Sequence, residues 1–155
     1  MQPVGKGGSL KGSLKKMNRK ELQTKLSVVT SALLREKGYI SFPDVFIKLG
    51  YLDPKDYENW RMKRVPYLER VITVNLARVN FIMKTVRGNS LNGKLKPSWT
   101  GYKSWGKGRK VTLRFSRSGE QTIEQLYATH FLRPGPISLL RGSDDQINSR
   151  TSVSS

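Results

Sequence analysis

The chain has 155 residues, of which 29 are Lys or Arg and 11 are Asp or Glu, leaving a formal charge of +18 at neutral pH. That length suits one domain; no run approaches the ~20 apolar residues of a membrane-spanning helix, and residues 1–20 lack the apolar centre of a secretory leader. The absence of cysteine excludes disulfide frameworks, thiolate zinc sites, iron–sulfur clusters and cysteine nucleophiles, and it accords with a reducing compartment.

Met1 to Met17 is a Gly/Lys/Ser tract without apolar periodicity and reads as a flexible basic arm. Asn18 and Glu21 have the spacing of a capping box, and Leu22, Leu26, Val29 and Leu33 recur on one face. They predict a helix to about Lys37 that stops at Gly38. Ser41 and Asp44 cap a second, short helix buried on Val45, Phe46 and Leu49, with Gly50 as its exit. Asp53-Pro54 opens a third, carrying Tyr57 and Trp60. Leu68, Ile72, Leu76, Val79, Ile82, Met83 and Val86 then keep helical spacing, which predicts one long helix from Pro66 to Arg87-Gly88. Asn89 to Pro97 has loop composition. Trp99 to Trp105, the turn Gly106-Lys107-Gly108, and the alternation of Val111, Leu113 and Phe115 with polar residues predict a β-hairpin. A last short helix is expected from Gln121 to about Ala128 with Ile123, Leu126 and Tyr127 inward, and the residues beyond Pro134 read as a mobile tail.

The expected fold is therefore mainly α with a β-hairpin (α+β). Its parts are a basic arm (1–17), one small helical domain (18–133) with a basic hairpin near 98–117, and a flexible tail (134–155). Within it, Ser41-Phe42-Pro43-Asp44-Val45, Lys48-Leu49-Gly50, Trp60 and Lys63-Arg64-Val65-Pro66 stand in the order of a helix-turn-helix. Residues 41–66, about a sixth of the chain, resemble the helix-turn-helix of the phage-repressor class. That resemblance implies a helix-turn-helix or winged-helix-like bundle, and DNA rather than RNA as partner.

The charge is unevenly distributed. Between Arg70 and Gly119 there are twelve bases and no acid: Arg70, Arg78, Lys84, Arg87, Lys94, Lys96, Lys103, Lys107, Arg109, Lys110, Arg114 and Arg117. An acid-free window of this kind suits a polyanion whose phosphates release counterions on binding. Trp99, Tyr102 and Trp105 are interleaved with these cations. Their rings are suited either to stacking on unpaired bases or to packing on Val111, Leu113 and Phe115. These fifteen residues form the expected nucleic-acid-binding set. Arg109, Arg114 and Arg117 could read guanine edges, although arginines more often hold phosphate.

No catalytic constellation stands out. His130 is the only histidine and does not suffice for a zinc site. Gly5-Lys6-Gly7-Gly8-Ser9 lacks the spacing of a phosphate-binding loop. No metal or other cofactor is expected. The leading reading is a non-enzymatic nucleic-acid-binding protein, an architectural or accessory factor of the cytoplasm or a bacterial- or phage-type nucleoid, with organelle targeting left open. Asp53, Asp56 and Glu58 form an acidic patch suited to a protein partner. A membrane surface is not expected as a partner, because the basic residues interrupt rather than flank an apolar face. The second reading is a basic subunit of a larger protein or ribonucleoprotein complex. The third is a nuclease working through a Glu124–His130 acid–base pair.

Overall fold

The computed structural model describes residues 17–134; the arm and the tail, apart from Met17 and Pro134, lie outside the described residues. The first helix, α1 (Arg19–Lys37), starts at a reciprocal cap. Glu21 N–H donates to the Asn18 side chain at 2.8 Å, and Asn18 N–H donates to Glu21 Oε1 at 3.0 Å. Two backbone donors that would otherwise lack partners are thereby satisfied. Leu22, Leu26, Val29 and Leu33 form the buried face, and Gly38 closes the helix. A short strand, β1 (Tyr39–Ser41), leads into α2 (Phe42–Leu49). Ser41 Oγ caps α2 by accepting Asp44 N–H, and Phe42, Val45, Phe46 and Leu49 are buried. Helix α3 (Pro54–Arg61) follows, with the Asp53 carboxylate accepting Lys55 N–H at 2.8 Å. All three helices stand where their caps predicted.

The expected long fourth helix is corrected. The chain instead forms one 3-10 turn (Leu68–Val71) and a separate helix, α4 (Leu76–Asn92). Ile72, Thr73 and Val74 are β-branched and disfavour helix. Thr73 donates both its N–H and its hydroxyl to the Tyr51 carbonyl, at 2.8 and 3.1 Å. Asn75 then caps α4 by accepting Arg78 N–H at 2.9 Å. The other end moves as well: Gly88 lies inside α4, which continues to Asn92. The first part of the expected 89–97 loop is thus helical, and its last two residues begin a strand.

That strand, β2 (Lys96–Trp99), joins β1 and β3 (Thr129–Leu132) in an antiparallel sheet of order β1–β3–β2. Pro97 is tolerated because β2 is an outer strand. Helix α5 (Gln121–Ala128) runs directly into β3. Tyr127 and Ala128 are buried as its periodicity suggests, but Leu126 is 37% exposed rather than turned inward. Face alternation along the sheet places Tyr39, Ser41 and His130 on one side and Ile40 and Phe131 on the other. The second set is buried in the core.

The hairpin is reduced to its root. Lys103 and Thr112 form a single bridge; Ser104 N–H donates to Val111 O at 2.9 Å and Leu113 N–H to Tyr102 O at 2.7 Å. The expected ladder stops there because the remaining groups bond sideways. Trp105 N–H donates to the Arg61 carbonyl at 2.7 Å, while Leu68 and Glu69 N–H donate to the Arg114 and Phe115 carbonyls at 3.2 and 2.9 Å. Leu113 and Phe115 enter the core, whereas Val111 is 39% exposed. The turn itself needs glycine: Gly106 and Gly108 have φ of +90° and +89°, where a Cβ is strained. The described residues thus form a mainly helical fold with a small antiparallel sheet around one core. No helix among them is long and apolar enough to cross a membrane.

Candidate nucleic-acid interface

Among the described residues there are two ion pairs, Lys37–Asp44 at 2.9 Å and Lys48–Glu36 at 3.2 Å. Neither involves any of the twelve cations between Arg70 and Gly119. Their placement is uneven, however. Arg70 is exposed on the 3-10 turn, and Lys84 and Arg87 are exposed on α4. Arg78 is half-buried in the first turn of α4 beside Tyr51. Since α4 is separate from the turn, Arg70 to Arg87 is not one continuous basic helix. Lys94 is exposed in the segment before β2, and Lys96 is exposed as its first residue. Lys107 and Arg109 project from the glycine turn, where Lys110 donates to the Gly106 carbonyl at 2.6 Å. Lys103 donates to Thr112 Oγ1 at 2.7 Å. Arg114 folds back, donating to the Ser116 and Arg117 carbonyls at 3.0 and 2.8 Å while lying over the Tyr67 ring. It braces its own loop and does not project toward a ligand as Arg117, exposed, can.

The three rings suited either to base stacking or to core packing have different surroundings. Trp99 is 48% exposed and ends β2. Trp105 is 42% exposed and meets Tyr57 edge-on at 5.9 Å. Tyr102 belongs to the core wall. Its ring contacts Trp60, Phe115 and His130 at 5.7, 5.1 and 5.7 Å, and its hydroxyl bonds to His130 Nε2 at 3.0 Å. Burial raises the Tyr102 pKa, so the hydroxyl stays protonated at ordinary pH.

Trp60 is the hub of this arrangement. It is fully buried, and its indole N–H donates to the Arg114 carbonyl at 2.7 Å. Phe115, on the same returning strand, lies 5.0 Å from it. One α3 side chain thereby fixes the basic hairpin to the bundle.

Glu124 and His130 are not assembled as an acid–base pair. Glu124 Oε1 accepts Phe115 N–H at 2.7 Å, and Oε2 accepts the N–H and hydroxyl of Ser116 at 2.8 and 2.5 Å. His130 meets Tyr102 and stacks with Tyr39 at 5.4 Å. Burial lowers its pKa to about 4 against the opposing pull of Asp44, so it is neutral at pH 7. Among the described residues no group of three His, Asp or Glu side chains could hold a metal ion.

The structure also assembles a cleft of about 550 Å³. Tyr39, Ser41 and His130 from one sheet face meet Tyr57 and Arg61 from α3 and residues 100–105. Lys37 and Asp44 stand at one side. Burial works against the Lys37 ammonium, but the hydrogen bond and charge of Asp44 overcome it and leave its pKa raised. The Arg61 guanidinium lies over the rings of Tyr102 and Trp105 at 5.0 and 4.8 Å.

No protein-family model matches the chain, and neither a curated protein nor a solved structure is detectably similar to it. Of the expected binding residues, Tyr102, Lys103 and Trp105 line the cleft. Tyr39, Tyr57 and Arg61 were not among the expected binding residues, and His130 was considered only as half of an acid–base pair. Tyr39, Tyr57 and Arg61 lie in unremarkable local patterns, and the one available signal, Arg61 immediately after the buried Trp60, is weak.

Proposed function

We propose that this chain is a non-enzymatic nucleic-acid-binding protein that grips phosphates through the glycine-turn hairpin and neighbouring cations. The observation carrying this reading is the acid-free window: twelve cations from Arg70 to Gly119, none in an ion pair with another described residue, with Trp99 and Trp105 partly exposed among them. So much unpaired charge repels itself, and a polyanion relieves that repulsion. Lys107 and Arg109, exposed at the turn, are the leading contacts. Lys110 supports the turn as well as adding charge. Trp99 is the better placed stacking surface, because Tyr102 already has ring partners on several sides.

The helix-turn-helix resemblance of 41–66 favours DNA over RNA. Contact through α3 is disfavoured, since Asp53, Asp56 and Glu58 would face phosphates; that patch suits a protein partner of an accessory factor better. A cytoplasmic or nucleoid location follows from the same reading.

The test is a fluorescence-anisotropy titration of duplex DNA, single-stranded DNA and structured RNA at several salt concentrations. Wild type is expected to bind with a steep salt dependence. The triple variant Lys107→Glu, Arg109→Glu, Lys110→Glu is expected to reduce the log–log slope by about 3, at ~0.9 per phosphate contact. Unchanged affinity and slope in that variant would refute the hairpin grip.

A further inference from the structure

Arg61 is the feature that the phosphate-gripping surface does not absorb. Its Nε is closed off from water without a hydrogen-bond acceptor, and its guanidinium makes no ion pair or hydrogen bond to the described residues. A buried donor left unmatched carries a desolvation penalty. Cation–π contact with Tyr102 and Trp105 offsets part of it. Arg61 also lines the cleft, alongside Tyr39, Tyr57 and Lys103. The volume, about 550 Å³, falls in the usual range for small-ligand sites.

Two independent requirements follow for an occupant. The guanidinium and Lys103 call for an anion with planar or clustered oxygens. The tyrosine and tryptophan rings call for a flat apolar group. Ser41 and Asp44, joined by a 2.7 Å hydrogen bond at the sheet side, offer polar atoms for the edge of such a group. A nucleotide meets both requirements on one small molecule and has a polar base edge as well. We propose that this cleft binds a single nucleotide, with the base against the aromatic wall and phosphate oxygens on Arg61 and Lys103. The proposal rests on the nucleic-acid reading above and deepens it. The occupant is either one nucleotide of a bound strand or a free mononucleotide, which present the same chemistry.

The experiment is a ¹⁵N–¹H correlation titration of the full chain. Its probes are inorganic phosphate, a nucleoside, the four nucleoside 5′-monophosphates and a short single strand, with the Trp105 indole and the Gly101 and Lys103 amides as reporters. A monophosphate is expected to shift these signals with a Kd of about 1 mM, at least tenfold tighter than phosphate or nucleoside alone. Arg61→Gln should abolish the shifts. Should that variant unfold, Trp105→Ala, at a partly exposed ring, should weaken binding read at the Gly101 and Lys103 amides at least fivefold. The triple hairpin variant should weaken strand binding yet keep the mononucleotide shifts. A strand moving the same signals at lower concentration assigns the site to a strand nucleotide; mononucleotides acting alone assign it to a free one. If strands bind but no monophosphate moves the reporters, or if phosphate alone does so equally well, the cleft proposal fails and the hairpin reading stands. If neither strand nor mononucleotide binds, both fall.

Discussion

Replacing Glu124 with alanine tests whether this residue is a structural clamp or a reacting group. Its carboxylate receives two backbone N–H groups and one hydroxyl from Phe115 and Ser116, both buried. Removing it leaves two amides without an acceptor in a place water does not readily reach. Each such group costs about 1–3 kcal/mol, and partial rehydration of the resulting space lowers the sum. We expect Glu124→Ala to lose about 3–5 kcal/mol, or about 10–15 °C in Tm for a chain of this size. Glu124→Gln keeps one carbonyl oxygen but turns an NH₂ toward a donor, so it should lose about half as much. Urea and thermal unfolding followed by circular dichroism measure both. A stability loss below about 1 kcal/mol in the alanine variant would refute the clamp. Loss of a nucleolytic activity at unchanged Tm would restore Glu124 as a catalytic group.

Two further outcomes follow from the buried polar contacts. His130 has a folded pKa of about 4 against 6.5 when unfolded. The unfolded state therefore binds more protons between these values, and stability rises with pH across them. Acidification from pH 7 to 5 should cost wild type about 2 kcal/mol more than His130→Gln; parallel stability–pH curves for the two would contradict this. Trp60→Phe keeps most of the core volume but removes one of the two donors to the Arg114 carbonyl, leaving Leu68 N–H in place, which should cost about 1 kcal/mol. It should also loosen residues 111–116, seen as faster amide exchange at Leu113 and Phe115. Exchange unchanged at those amides would mean that Trp60 does not anchor the hairpin.

The local elements were legible because their signals are short-range. The Asn18/Glu21 box, the Ser41 and Asp53 caps and the exits at Gly38 and Gly50 act within four residues, so the sequence contains both partners of each interaction. The acid-free window is likewise a property of the sequence alone. Leu68 to Val86 was misleading for the opposite reason: helical spacing of apolar residues marks a buried face, but it does not show that the backbone between them is continuous. Tyr51, bonded to Thr73 from twenty-two residues away, supplies the alternative partner.

The sheet and the cleft depended on tertiary structure altogether. Strand β3 pairs with segments about ninety and thirty residues earlier, and no local pattern encodes which strands meet. Tyr102 illustrates the consequence for function. In sequence it is one of three aromatics among lysines; in the fold, Trp60, Phe115 and His130 surround it and leave exposure to Trp99 and Trp105. Charge is additive along a chain and can be counted from sequence. The accessibility of a ring, or of the Arg61 guanidinium, depends on what packs against it, and that is determined only when distant segments come together.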